Sequence, residues 1–165
     1  MVAAGAAGVL FPAAFAGEAL PSLVGRAQAL GAEPVVSVSN AEEAEAALEA
    51  GCRLLVFSGL SVDDAIQLRE SLVKQHGETA AGAHVCKLRQ DHMPSLASDM
   101  ESSWVLRDAG FSGVWPTENM YKNGMDDIHT GIFAMGAKAS RKFCSTTAFT
   151  QKAEGAREFL GELLD

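Results

Sequence analysis

Residues 33–59 contain one complete structural unit, and no other feature limits the fold as much. Glu33-Pro34-Val35-Val36-Ser37-Val38-Ser39 has the character of a buried strand, and residues 40–50 that of a capped amphipathic helix. Gly51 stops the helix, and Cys52-Arg53-Leu54-Leu55-Val56-Phe57 leads to a second strand ending at Ser58-Gly59. Two strands joined through a helix pair in parallel, because a parallel connection needs a crossover of about a dozen residues or more. Near-continuous apolar runs such as these are expected of parallel strands covered on both faces. Parallel sheets of this kind place their binding and catalytic groups at the C-terminal ends of the strands. Here those ends are mostly Ser, Gly, Pro and Thr, so the chain says far more about fold than about chemistry.

The same rhythm runs along the chain. Strand-like segments recur at 8–11, 34–38, 53–57, 84–88, 113–115 and 142–145. Helices are predicted between and after them. Residues 18–30 carry Ala19, Leu20, Leu23, Val24, Ala27 and Leu30 near a 3.6-residue period and stop at Gly31. Asn40 caps the helix over 40–50, with Glu42 and Glu43 in the first turn. Ser61 and Asp64 resemble a capping box opening 61–73. Helices are also expected over 94–108 and 151–164. Residues 117–140 break the pattern with Asn, Asp and Gly and predict a long loop with one short helix. The expected fold is α/β: one domain over 1–165 of repeated βα units, forming a partial or degenerate TIM-barrel-like parallel sheet. Val35, Val36, Val38, Leu54, Leu55, Val56, Val85, Val114 and Phe143 are expected in its core, and 8–15 as a buried strand with its exit.

Composition narrows the partners. The chain has 165 residues, 48% of them hydrophobic and 21% charged, with a formal net charge of -8. That is enough chain for a single packed core. An acidic protein without a Lys/Arg cluster is not expected to bind nucleic acid or anionic lipid. The first seventeen residues carry no charge, but the first basic residue is Arg26, so they lack the basic flank of a secretory signal. Glycines and Pro12 interrupt them too often for a membrane span. Cys52, Cys86 and Cys144 lie in or beside apolar runs at wide spacings. They are expected to be buried free thiols in an intracellular, reducing compartment.

Residues 8–120 resemble the C-terminal half of indole-3-glycerol phosphate synthase. Gly8-Val9-Leu10-Phe11 is similar to that family's fourth strand. Val35 to Ser39, with Glu42, Glu43 and 47–51, is similar to its fifth strand and helix. Leu54 to Ser58 and 113–120 are similar to its sixth and eighth strands. The resemblance implies a barrel-derived fold without the family's catalytic groups. Its strand-five glutamate falls on Ser37, and its strand-six asparagine and arginine fall on Ser58 and Leu60. Its Glu-Ser-Gly falls on Lys87, Leu88 and Arg89, and its phosphate-binding glycine on Pro116. Gly110 to Val114 with Pro116-Thr117, Lys122-Asn123-Gly124, Ser145 to Phe149, and His84 to Cys86 with Asp91 resemble the barrel family of phosphoenolpyruvate mutase. That family's acidic metal-binding pattern is not evident in this chain.

The densest polar cluster is His84, Cys86, Lys87, Arg89, Asp91 and His92. Strand alternation puts His84, Cys86 and Leu88 on one face and Val85, Lys87 and Arg89 on the other. Lys87 and Arg89, with Ser58 and Gly59 at a neighbouring strand end and His92 as an acid or base, form a candidate anion site. The plain alternative is a strand running out into a solvated loop. Asp126, Asp127 and His129 could be cation ligands, but acids also favour a helix N-terminus. Ser145-Thr146-Thr147 is either an anion-binding turn or a helix cap. No metal site, cofactor or catalytic residue is expected. Met120, Tyr121, Met125, Phe133 and Met135, with Trp104 and Trp115, make a candidate interface, since such types are enriched at contacts.

The function expected from these features is that of a non-catalytic derivative of a βα-barrel enzyme, acting as a structural or interaction subunit with other protein chains in a hetero- or homo-oligomer. The alternative is a lyase-type barrel enzyme acting on a small phosphorylated or carboxylate substrate. A small-anion sensor using the same basic pair is a third possibility. Replacing Tyr121 and Phe133 with alanine tests the interface. Association should weaken by more than about 1 kcal/mol per residue with the fold retained. A loop covering its own core would instead lose about 3–5 kcal/mol of stability at a buried Phe. Sizing chromatography with urea unfolding separates the two.

Overall fold

The computed structural model describes residues 6–120. Over that span β1 (Gly8–Pro12), β2 (Glu33–Val38), β3 (Leu54–Phe57), β4 (Ala83–Lys87) and β5 (Gly113–Trp115) form one sheet in the order β1-β2-β3-β4-β5. Every neighbouring pair is parallel. Helices α1 (Ala13–Ala16) and α2 (Leu20–Ala29) connect β1 to β2, and α3 (Ala41–Glu49) connects β2 to β3. Helices α4 (Val62–His76) and α5 (Glu78–Ala81) connect β3 to β4, and α6 (Leu96–Asp108) connects β4 to β5. The protein is therefore α/β, built of repeated βα units. The spatial order of the strands follows their chain order, so each crossover steps the sheet in the same direction. A doubly wound sheet reverses direction near its middle; this sheet winds in the manner of a barrel segment. The segments 142–145, 151–164 and most of 117–140 lie outside the described residues.

The local signals explain the elements. Asn40 Oδ1 accepts the Glu43 N–H at 2.9 Å, and Glu43 Oε2 accepts the Ser39 N–H at 2.7 Å, closing the start of α3 in both directions. Ser61 Oγ accepts the Asp64 N–H at 3.1 Å and donates to Asp64 Oδ2 at 2.6 Å at the start of α4. Helix α4 runs three residues beyond the expected end at Val73, and α5 follows it directly.

One face of the sheet carries the core. Val38, Phe57, Cys86 and Val114 are in register across four strands, beside the row Phe11, Val36, Leu55 and His84. These rows pack with Leu20, Val24, Ala47, Leu72 and Leu106 of the helices. The opposite face is different. Its rows run Leu10, Val35, Leu54, Ala83 and Pro12, Ser37, Val56, Val85, Gly113. Val56 is buried there, but Val35, Leu54 and Val85 are half-buried and Leu10 is 45% exposed. Of the expected core, Val36, Val38, Leu55 and Val56 are buried, while Val35, Leu54, Val85 and Val114 are half-buried. Phe143 lies outside the described residues. The expectation of a buried segment over 8–15 also needs correction, because Gly8, Leu10, Pro12, Ala14 and Phe15 are exposed. Gly8, Leu10 and Pro12 lie on the face of β1 that the helices leave uncovered, and Ala14 and Phe15 belong to α1 rather than to a strand.

Gly82 makes a close turn into β4. Its φ of 80° and ψ of -167° lie in a region that is essentially glycine-only. A Cβ there would stand 2.5 Å from the Arg53 carbonyl oxygen, itself held by the Ala83 N–H at 2.8 Å. Gly59 has a φ of 76° but open space around it. Gly82→Ala is therefore expected to cost more than the roughly 1–2 kcal/mol of a left-handed non-glycine residue, and Gly59→Ala no more than that. Urea unfolding of the two variants should rank them in this order.

Candidate functional site

The C-terminal ends of β3, β4 and β5 surround a cleft of about 460 Å³. Ser58 and Gly59 leave β3, Lys87 ends β4, Arg89 follows two residues on, and Trp115 ends β5. Lys87 and Trp115 are register partners, and the Lys87 ammonium lies 5.1 Å from the Trp115 ring centroid. Such a contact is an attraction between a cation and the negative face of the indole. Four of the five residues of the candidate anion site, Ser58, Gly59, Lys87 and Arg89, thus line one cleft. His92 is not part of its lining. It sits at the exposed end of the 3₁₀ turn over Gln90–His92, with Nε2 3.8 Å from Asp91 Oδ2.

The polar groups at the strand ends are engaged with each other. Arg89 Nε donates to Asp91 Oδ1 at 3.0 Å, and Nη2 donates to the second carboxylate oxygen. Arg89 Nη1 also donates to the Gly59 carbonyl at 3.2 Å, which ties the β4 exit to the β3 exit. These hydrogen bonds hold the Asp91 carboxyl below its ordinary range and raise the Arg89 guanidinium. Deeper in, the hydroxyls of Ser37 and Ser58 are 2.7 Å apart in a hydrogen bond.

A buried network holds the β5 side of the cleft. Asp99, in the first turn of α6, is fully buried. Its Oδ2 accepts from the Thr117 hydroxyl at 2.7 Å and the Thr117 N–H at 3.1 Å. Asn119 Nδ2 donates to the Met93 carbonyl at 2.8 Å, and the Gln90 side chain accepts the Glu118 N–H at 2.9 Å. The exits of β4 and β5 are thereby held to each other and to α6.

Strand parity sorts the remaining candidates as the alternation implies. His84, Cys86 and Leu88 are buried on the core face, whereas Lys87 is exposed on the other. His84 Nε2 donates to the Ala81 carbonyl at 2.9 Å, and burial pushes its imidazole below the ordinary value. Burial pushes the Cys86 thiol up to about 12 and also raises Cys52. Both are free thiols. Among the described residues no three His, Cys, Asp or Glu side chains group as a metal site. No helix among them is long and apolar enough to cross a membrane. Met120 is buried and Trp104 half-buried. Tyr121, Met125, Phe133, Met135, Asp126, Asp127, His129, Cys144 and 145–147 lie outside the described residues.

Asp99, Asn119 and Gln90 belong to no motif in the sequence, and neither the bond from Thr117 to Asp99 nor the pairing of Arg89 with Asp91 has a local signature. One signal was present. Asp99, Ser103 and Leu106 fall at i, i+4 and i+7, so two polar residues occupy the inward stripe of α6. A polar break in a core stripe points to a buried hydrogen-bond network.

No protein-family model matches the chain, and no curated protein matches it. Among solved structures it is similar to one described as native KDPGal, with 14% identity over 93% of this chain and 86% of that one, at a TM-score of 0.41. It is also similar to a cube-shaped, highly porous protein cage designed by fusing symmetric oligomeric domains. There the identity is 17% over 88% of this chain and 66% of that one, at a TM-score of 0.31. The assignment to barrel-type βα units rests on the strand order and register above.

His84 makes stability depend on pH. Its folded value lies below the unfolded value of 6.5, so the unfolded chain binds the extra proton first. The contribution is fully present above 6.5 and is lost as pH falls through the lower folded value. Urea midpoints should drop on acidification below neutrality. The His84 ring resonances, followed by NMR, should titrate below 6.5 in the folded protein; titration at or above that value contradicts the assignment.

Proposed function

We propose that the chain is a non-catalytic derivative of a βα-barrel enzyme that works as a structural or interaction subunit. The observation that carries this reading is the hydrogen bond between Ser37 and Ser58. These are the positions where the resemblance to indole-3-glycerol phosphate synthase puts a glutamate and an asparagine. Two neutral hydroxyls that satisfy each other are poor replacements for a proton-transferring pair. The nearby Asp91 carboxylate is engaged by Arg89 and held ionised, which suits an acceptor of fixed hydrogen bonds better than a proton donor. Losing one general acid or base typically costs about 10²–10⁴-fold in rate.

The interaction half of the proposal is supported by the second face of the sheet. Leu10, Val35 and Leu54 form one register row that the helices leave uncovered. In a closed barrel that face turns inward and is packed by side chains of other strands. A further chain laid on it would bury the row instead.

The purified chain is expected to show no turnover of the synthase substrate, measured as indole-3-glycerol phosphate formed. It is expected to associate as its concentration rises in sedimentation. Leu10→Lys, on a partly exposed side chain, should reduce association without loss of helical circular dichroism. Turnover refutes the non-catalytic half. A monomeric wild type with sedimentation unchanged by Leu10→Lys refutes association through this face.

A further inference from the structure

We propose that the cleft at the ends of β3, β4 and β5 is a binding site for a small aromatic monocarboxylate. This goes beyond the subunit reading and does not rest on it, since binding in the cleft requires neither turnover nor association.

The cleft volume, about 460 Å³, suits a small organic molecule. Its charged walls are Lys87, Arg89, Asp91 and Glu118, two of each sign. Arg89 is already occupied by Asp91 and the Gly59 carbonyl. That leaves Lys87, which forms no ion pair among the described residues. One available cation beside the carboxylate of Glu118 accommodates a single negative charge. The Glu118 carboxylate repels any anion here, and a phosphate dianion would meet about twice that repulsion, so the charge balance disfavours a dianion more than a monoanion.

The rest of the lining selects an apolar, flat body. Trp115 and Pro116 form the apolar wall, and Trp115 is 45% exposed. The Lys87 ammonium is already placed against that ring, 5.1 Å from its centroid. A carboxylate on Lys87 therefore brings an attached aromatic ring alongside the indole. Offset or edge-to-face contact between two such rings contributes beyond area burial alone. The rim is held still by the Arg89 bonds to Gly59 and Asp91, and by Asp99 on Thr117. The ligand thus meets a preformed wall, which lowers the ordering cost of binding.

The chain has two tryptophans, Trp104 and Trp115, so its indole N–H signals in a ¹⁵N-labelled sample are few, and Trp115→Phe assigns them. Sodium benzoate should shift the Trp115 signal saturably. Lys87→Met should weaken that binding about tenfold or more, the scale of one charge-assisted hydrogen bond, while Lys87→Arg retains it. Lys87 is exposed, so the variants are expected to fold, and the remaining amide spectrum verifies it. Neutral benzamide should bind more weakly than benzoate, and inorganic phosphate should not saturate the signal. The proposal is overturned by any of four results: no saturable shift with benzoate, equal binding of benzamide, saturation by phosphate at the same or lower concentration, or unchanged benzoate binding to Lys87→Met.

Discussion

The packing of the described residues turns on Phe57. Its ring is fully buried at the end of β3, the middle strand of the sheet. It meets Phe111 edge-on at 5.5 Å and the His84 ring at 5.1 Å. Phe111 belongs to the connection from α6 into β5, and His84 lies on β4. One side chain therefore joins three consecutive strand units from the helix side. His84 can occupy this apolar position because its Nε2 proton is taken by the Ala81 carbonyl at the end of α5. A neutral, hydrogen-bonded imidazole costs little to bury, whereas a charged one costs a great deal.

That arrangement separates packing from chemistry along each strand. Residues of one parity build the helix-facing core, and residues of the other parity, with those just past the strand ends, are left to meet ligands or partners. His84 and Cys86 do the first on β4, and Lys87 is available for the second, while Arg89 ties the strand exits together. Substitution at the strand ends leaves Val36, Val38, Leu55 and Phe57 in place. A chain of this fold can therefore keep its core positions while the residues at Ser37, Ser58 and Pro116 change.

How much of this was visible beforehand depends on how local its cause is. The helix starts at Asn40 and Ser61 were legible, because a cap is decided within about four residues. The parity split at 84–89 was legible because strand alternation has a fixed period. The convergence of Ser58, Gly59, Lys87 and Arg89 followed from the general rule that strand C-terminal ends meet. Three things were not legible. A continuous apolar run such as Leu54-Leu55-Val56-Phe57 does not say which of its faces the helices cover, so the half-exposure of Leu54 was missed. The pairing of Arg89 with Asp91 depends on the turn between them. Asp99 and Thr117 are separated by 18 residues, and their bond exists only once α6 docks beside the β5 exit.

The Asp99 network also bears on what kind of cleft this is. A fully buried carboxylate is costly unless its lone pairs are taken. Here Oδ2 is taken by the backbone N–H and hydroxyl of Thr117, directly after Pro116, and Oδ1 accepts from the Asn119 amide at 3.5 Å. Such a bond fixes both the position and the direction of the chain leaving β5. Gln90 does the same to Glu118 from the β4 side. The exits that surround the cleft are therefore braced by hydrogen-bonded polar groups, of which Asp99 and Thr117 are buried and Gln90 and Asp91 exposed. Bracing of this kind gives a surface whose shape is set before anything binds, which lowers the ordering cost of whatever binds there.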